Sequence, residues 1–294
     1  WRSRSPALRI AVAAAALLAI SAEALASRAY LTRWKDSETL YKYILSLAPN
    51  SAETLNNLGI ALADLDRLEE AVQQFHKAIE FKPGFQPAHF NLGKALVKLG
   101  QFNEALGELR IAVEMNPRDS AALDYLGYAA LLVGRFDEAE TAFKQALDRA
   151  PDNPDTLNNY GSLLVKRGNC REAVNKFRRA VQLDSANLQP YKALAWILAT
   201  HPDPSLRNGA DAVNFAEQAD ALTQHRDAGV LDALAAAYAE AGKFDRAVQV
   251  GHRAMNIAAS DGSQNRAAQI QQRVARYEQK KPVRDGSLAG GTAG

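Results

Sequence analysis

The chain has 294 residues, with 35 Lys and Arg set against 33 Asp and Glu, a formal net charge of +2. That balance excludes a nucleic-acid binder built on bulk positive charge, so no nucleic-acid partner is expected. A single cysteine, Cys170, excludes an internal disulfide.

The first stretch is apolar. Arg2, Arg4 and Arg9 precede an uncharged, Ala-rich run from Ile10 to Ala22, followed by Glu23 and Ala24-Leu25-Ala26. Two readings fit residues 1–33, a hydrophobic membrane or signal segment with a juxtamembrane stretch. One is a membrane helix, short against the ~20 apolar residues a span needs. The other is a signal peptide, with a basic start, a short apolar core and cleavage near Ala26. Basic residues on both sides leave the orientation open. The start at Trp1 rather than Met predicts a fragment or a processed chain.

Residues 34–51 read as one helix. Asp36 or Ser37 can cap it, Leu40, Tyr41, Ile44 and Leu47 give it an apolar face, and Pro49 ends it. It is half of the unit that follows.

That unit recurs every 34 residues. Its clearest copy, 86–119, holds Leu92-Gly93, Leu96, Gly100, Phe102, Ala105, Leu109, Ala112 and Pro117. The preceding copy has Leu58-Gly59, Leu62, Asp66, Leu68, Ala71, Phe75, Ala78 and Pro83; the following has Leu126-Gly127, Ala130, Gly134, Phe136, Ala139, Phe143, Ala146 and Pro151. Leu92 and Leu96 share a helix face, Gly100 ends that helix, and Ala105, Leu109 and Ala112 line a second one. Gly93 has no side chain where the second helix must approach. Each helix pair leaves an apolar face that only its neighbours can cover, so the pairs must stack.

A fourth copy keeps Tyr160-Gly161, Gly168, Ala173, Phe177 and Ala180. The fifth has Leu194-Ala195, a long Pro- and Gly-containing loop at 200–209, then Ala212, Ala216 and Ala219. The sixth has Leu234-Ala235, Gly242, Phe244, Ala247 and Ala254; Gly251 replaces its expected large residue and predicts looser packing. These six units span 52–260. Residues 261–280 read as a capping helix with Ala267, Ile270, Val274 and Tyr277 inward. Residues 281–294 read as a disordered tail.

The period and residue order resemble the tetratricopeptide repeat (TPR) family. The resemblance implies an all-α, right-handed superhelix, an α-solenoid, preceded here by one hydrophobic helix. Its first helices line a concave groove that takes a protein or an extended peptide. Asn57, Asn91 and Asn159 share one position on those helices, with Tyr125 in the third copy. By resemblance to the superhelix of O-GlcNAc transferase, an asparagine ladder would bond the backbone of a peptide; alternatively each Asn bonds a neighbouring loop. Asn56, Phe90, Lys94, Asp124, Tyr128, Asn158, Lys192 and Trp196 are the other groove candidates. This set lacks the regular clamp of chaperone-binding relatives.

The junction Arg28-x-x-x-x-Arg33-Trp34-x-Asp36-Ser37-x-x-Leu40-Tyr41, between a hydrophobic segment and the repeats, resembles bacterial relatives of the transmembrane and TPR-containing O-mannosyltransferases. This implies a bacterial membrane location with the repeats extracytoplasmic. It also implies an alternative function, the substrate-recruiting tail of a polytopic glycosyltransferase whose catalytic part is missing. Within this chain the scattered histidines form no metal-binding pair, and no phosphate loop or catalytic triad is legible. No cofactor, metal or catalytic residue is expected.

Overall fold

The computed structural model describes residues 37–289 as fourteen α-helices and two 3₁₀ turns. The apolar run, the junction up to residue 36 and the last five residues of the tail, 290–294, lie outside the described residues. Among the described residues no helix is long and apolar enough to cross a membrane. The chain divides into two compact units, with the boundary in the sequence falling between Pro117 and Arg118, and each is described by itself.

In the first unit α1 (Ser37–Leu47) is the leading half-pair. Two antiparallel pairs follow: α2 (Ala52–Asp64) with α3 (Leu68–Phe81), then α4 (Gln86–Lys98) with α5 (Phe102–Met115). The second unit holds α6 (Ser120–Val133) with α7 (Phe136–Arg149), α8 (Pro154–Lys166) with α9 (Cys170–Leu183), and α10 (Leu188–Thr200) with α11 (Gly209–Leu222). It ends with α12 (Ala228–Glu240), α13 (Phe244–Ser260) and α14 (Gln264–Glu278).

First and second helices start differently. Ser51, Asp119, Asn153, Asn187 and Asp227 each accept a backbone N–H and cap a first helix; α4 opens with Pro87 instead. The second helices of the first four and the last pairs have no side-chain cap, because they follow at once from a tight turn. That turn needs a left-handed residue, Gly100 at φ 77° and Gly134 at φ 86°, and Asp66 takes the same place at φ 60°. There the Gln101 N–H reaches back to the Leu96 carbonyl at 2.9 Å, satisfying an orphan acceptor of α4.

The core is a series of complementary sizes. A Cβ on Gly59, Gly127 or Gly161 would stand 2.5 to 2.7 Å from the ring of Phe75, Phe143 or Phe177. In the fifth pair the matching residues are Ala195 and Ala216, both fully buried. In the sixth the order inverts, with Ala235 on the first helix and Gly251 on the second. The looser packing expected at Gly251 is not seen: a Cβ there would lie 2.5 Å from Val274 Cγ2 of α14, which fills the gap. Val274 belongs to the inward stripe of α14, where Ala267, Ile270 and Tyr277 are also buried. Eleven of the thirteen residues of α12 are buried, so this helix has almost no face left for solvent.

The 201–208 loop contains a 3₁₀ turn (Pro204–Leu206) and is held by Arg207. Its guanidinium donates to the His201 and Pro202 carbonyls at 2.9 and 2.8 Å and to Glu240 at 2.9 Å. Residues 281–289, which composition reads as disordered, follow a defined path and end in a second 3₁₀ turn (Gly286–Ala289).

Candidate peptide groove on the first helices

In the first unit the ladder position at Asn91 faces the preceding first helix. Asn91 Nδ2 donates to Asn56 Oδ1 at 2.9 Å, and Asn56 Nδ2 to Asn57 Oδ1 at 3.4 Å. Asn56 is 5% exposed, while Asn57 is open to solvent. Phe90 lies under the Lys94 ammonium, 5.3 Å from ring centroid to Nζ. Between α2 and α4 is a cleft of about 70 Å³, lined by Ile60, Phe75 and Ala95 with Asn91, Lys94 and Lys98 among its polar groups.

The second unit repeats the clasp with a charge. Asn159 Nδ2 donates to both carboxylate oxygens of Asp124, at 3.2 and 3.3 Å. Asp124 is 7% exposed. Burial pushes its carboxyl up to about 6, against the hydrogen bonds of Asn159 and Thr156, and the charge of Asp155 adds to the rise. Burial also raises the neighbouring Tyr125, and Asp124 adds to it. The third-copy Tyr125 is thus an aromatic break in the ladder, half-buried like Tyr128. Asn158 lends its carbonyl to the Ser162 hydroxyl at 3.0 Å. Lys192 stands 3.7 Å from Asp227.

The partner of each clasping asparagine is therefore a side chain on the preceding first helix, thirty-five residues back, rather than a loop. The amide N–H groups of Asn91 and Asn159 hold adjacent repeats together. The groups left toward solvent are Asn57 and the partly exposed surfaces of Phe90, Lys94, Tyr125, Tyr128, Asn158 and Lys192.

At Trp196 the surface is occupied by the chain itself. Its indole Nε1–H donates to Asp285 Oδ2 at 2.8 Å, and the Arg273 guanidinium stacks 5.6 Å from its ring centroid. Arg273 also makes a two-point bond to Asp232, Nε to Oδ1 at 2.9 Å and Nη2 to Oδ2 at 2.7 Å. Burial still holds the Asp232 carboxyl above its usual value, against the pull of Arg273. Asp232, Arg273 and Asp285 were not among the sequence candidates. Asp232 carries a legible signal, since it lies two residues before Leu234 as Asp124 lies two before Leu126. Arg273 and Asp285 sit outside the repeat period and carry none.

Among the described residues no group of three His, Cys, Asp or Glu is placed to hold a metal.

Tetratricopeptide repeat models match residues 40–73, 61–100, 90–154 and 130–197, together spanning 40–197. Among curated proteins, the chain is similar to the protein O-mannosyl-transferase Tmtc2 of Drosophila melanogaster, 40% identical over 57 residues, which are 19% of this chain and 6% of that protein. Among solved structures it is similar to the APC/C hetero-tetramer Cut9-Hcn1 with a TM-score of 0.66 and 21% identity, covering 80% of this chain and 45% of that one. It is also similar to YrrB, described as a TPR protein with an unusual peptide-binding site, with a TM-score of 0.50 and 16% identity, covering 63% and 92%. The chain spans only a small part of Tmtc2 and less than half of the Cut9-Hcn1 chain. At these identities the structural likenesses show the fold.

Proposed function

The chain belongs to the tetratricopeptide repeat proteins, and from that premise we propose that it is a scaffold that binds an extended peptide on its first helices. The cleft between α2 and α4 carries this reading. An apolar floor of Phe75 and Ala95 fits an apolar side chain, and Lys94 and Lys98 on the same cleft supply donors for carbonyl or carboxylate groups. The occurrence of a peptide-binding site on the same fold in YrrB supports it. A peptide-library screen against the full chain tests it. Binders should lose about tenfold or more in affinity on Lys94→Ala or Asn57→Ala, and indifference of every binder to both changes would remove the assignment.

We further propose that the scaffold is held at a membrane, on the strength of the apolar run from Ile10 to Ala22. Fractionation of cells expressing the chain with and without residues 1–33 tests this; recovery of both in the aqueous fraction would refute it. The catalysis-associated alternative, a recruiting part of a membrane glycosyltransferase, draws on the 57-residue likeness to Tmtc2. Cross-linking of the repeats to a glycosylated acceptor protein in the source cell would favour it over a stand-alone scaffold.

A further inference from the structure

The segment after α14 crosses three successive repeats. Arg284 Nη1 lies 2.7 Å from Glu240 at the end of α12. Asp285 reaches α10 twice: its N–H donates to the Thr200 carbonyl at 2.8 Å, and its carboxylate accepts from Trp196. Leu288 is 5% exposed, and its carbonyl accepts from Cys170 Sγ at 3.3 Å, where α9 begins.

Each contact meets something the repeats leave unfinished. Thr200 closes α10, and a carbonyl in the last turn of a helix has no partner within the helix. Glu240 shares its carboxylate between Arg207 and Arg284. Cys170 opens its helix where the other second helices open with Leu68, Phe102, Phe136 and Phe244, apart from Gly209 in the fifth pair. A thiol in place of a phenyl ring leaves room, and Leu288 packs there. Beyond it lies a cleft of about 620 Å³ whose lining includes Leu288, Arg171, Asn175 and His201. Within the segment, the Asp285 carboxylate is shaped by its own turn, accepting from the Ser287 N–H at 3.0 Å and hydroxyl at 2.6 Å.

We propose that Trp196, Thr200, Glu240 and the Cys170 hollow form a second peptide-binding site, specific for an acidic residue followed three positions later by leucine, and that residues 284–288 occupy it in cis as a removable strap. This rests on the reading of the array as a peptide binder but uses a different surface. The acidic residue satisfies the indole donor and its backbone N–H the helix end; the leucine fills the hollow. An arginine just before the acid answers Glu240. A partner segment with this pattern displaces the strap.

The test uses the full chain. Asp285→Ala/Leu288→Ala releases the strap without shortening the protein. By calorimetry this variant should bind a synthetic nine-residue peptide of sequence 281–289 at least tenfold more tightly than the unchanged protein does. Adding Cys170→Phe, which fills the hollow, should abolish that binding, as should Trp196→Phe weaken it tenfold. In the unchanged protein, amide exchange at 285–288 should be slow, and Cys170→Phe should speed it about tenfold while α14 exchanges as before. Equal peptide binding with and without the strap contacts, or exchange at 285–288 that ignores Cys170→Phe, would overturn the proposal. Asn57 and Lys94 do not touch this site, so its failure is distinguishable from failure of the groove on α2 and α4.

Discussion

Gly93 and Leu109 are built against each other. A Cβ on Gly93 would stand 2.5 Å from Leu109 Cγ, inside any contact a real side chain makes. The close approach of α4 and α5 depends on that missing carbon. Gly93→Leu should therefore destabilise the chain by about 1–3 kcal/mol as overpacking, and Gly93→Ala should act in the same direction. Leu109→Ala alone should cost about 2–5 kcal/mol. Because Ala195 and Ala216 pair at the matching positions of the fifth repeat, Gly93→Ala/Leu109→Ala should cost less than the sum of the singles. Urea unfolding of the three variants measures this, and strict additivity would contradict the pairing.

Asp124 predicts a pH dependence. Its carboxyl is raised from the ordinary 3.8 to about 6 by burial, so the folded state holds its proton more tightly than the unfolded chain. Its contribution to stability is full below pH 4 and is lost as pH rises through about 6. Asp124→Asn keeps an acceptor for Asn159 and carries no charge to bury. It should stabilise the protein at pH 7 by at most about 3 kcal/mol, and the gain should vanish near pH 4. Thermal unfolding across that range checks both points.

Arg273, itself partly exposed, makes a two-point ion pair with the buried carboxylate of Asp232. Arg273→Met leaves the Asp232 carboxylate without its cation and should cost about 3–5 kcal/mol. Asp232→Leu/Arg273→Met removes both charges and should recover most of the loss. Denaturant midpoints decide it; a double variant as unstable as the single would show that the pair matters through something other than its buried charge.

Asp66 holds a left-handed conformation where the other turns of this kind use glycine. Asp66→Gly should gain about 0.5–1 kcal/mol, the relief of a left-handed non-glycine residue less the entropy of added freedom. A destabilised variant would mean that the aspartate side chain holds the turn.

What could be read from the sequence followed the repeat. Leu92-Gly93, Gly100 and the Ala105-Leu109-Ala112 stripe recur in register, so their roles in pairing, stopping and packing are legible in the sequence. The inward stripe of α14 was legible too, because Ala267, Ile270, Val274 and Tyr277 keep helical spacing. Gly251 was misread because its partner is Val274, on a helix outside the period. The asparagine clasps depend on side chains thirty-five residues apart on neighbouring helices, and no local pattern reveals which acceptor an amide chooses. Residues 284–288 were hidden by composition: Gly and Ser predict freedom, and only the hollow left by Cys170 and the donor of Trp196 give them a place.

The strap is joined to α14 by fewer than ten residues, so it never leaves the neighbourhood of Trp196. Tethering of this kind sets an effective concentration of about millimolar or more. Weak contacts are then enough to keep the surface covered, and a free peptide at micromolar levels loses that competition unless it fits about a thousandfold better. A partner that grips the repeats at a second point gains the same advantage of proximity as the strap. The surface around Trp196 would thus be silent to isolated segments and responsive to partners that arrive already tethered.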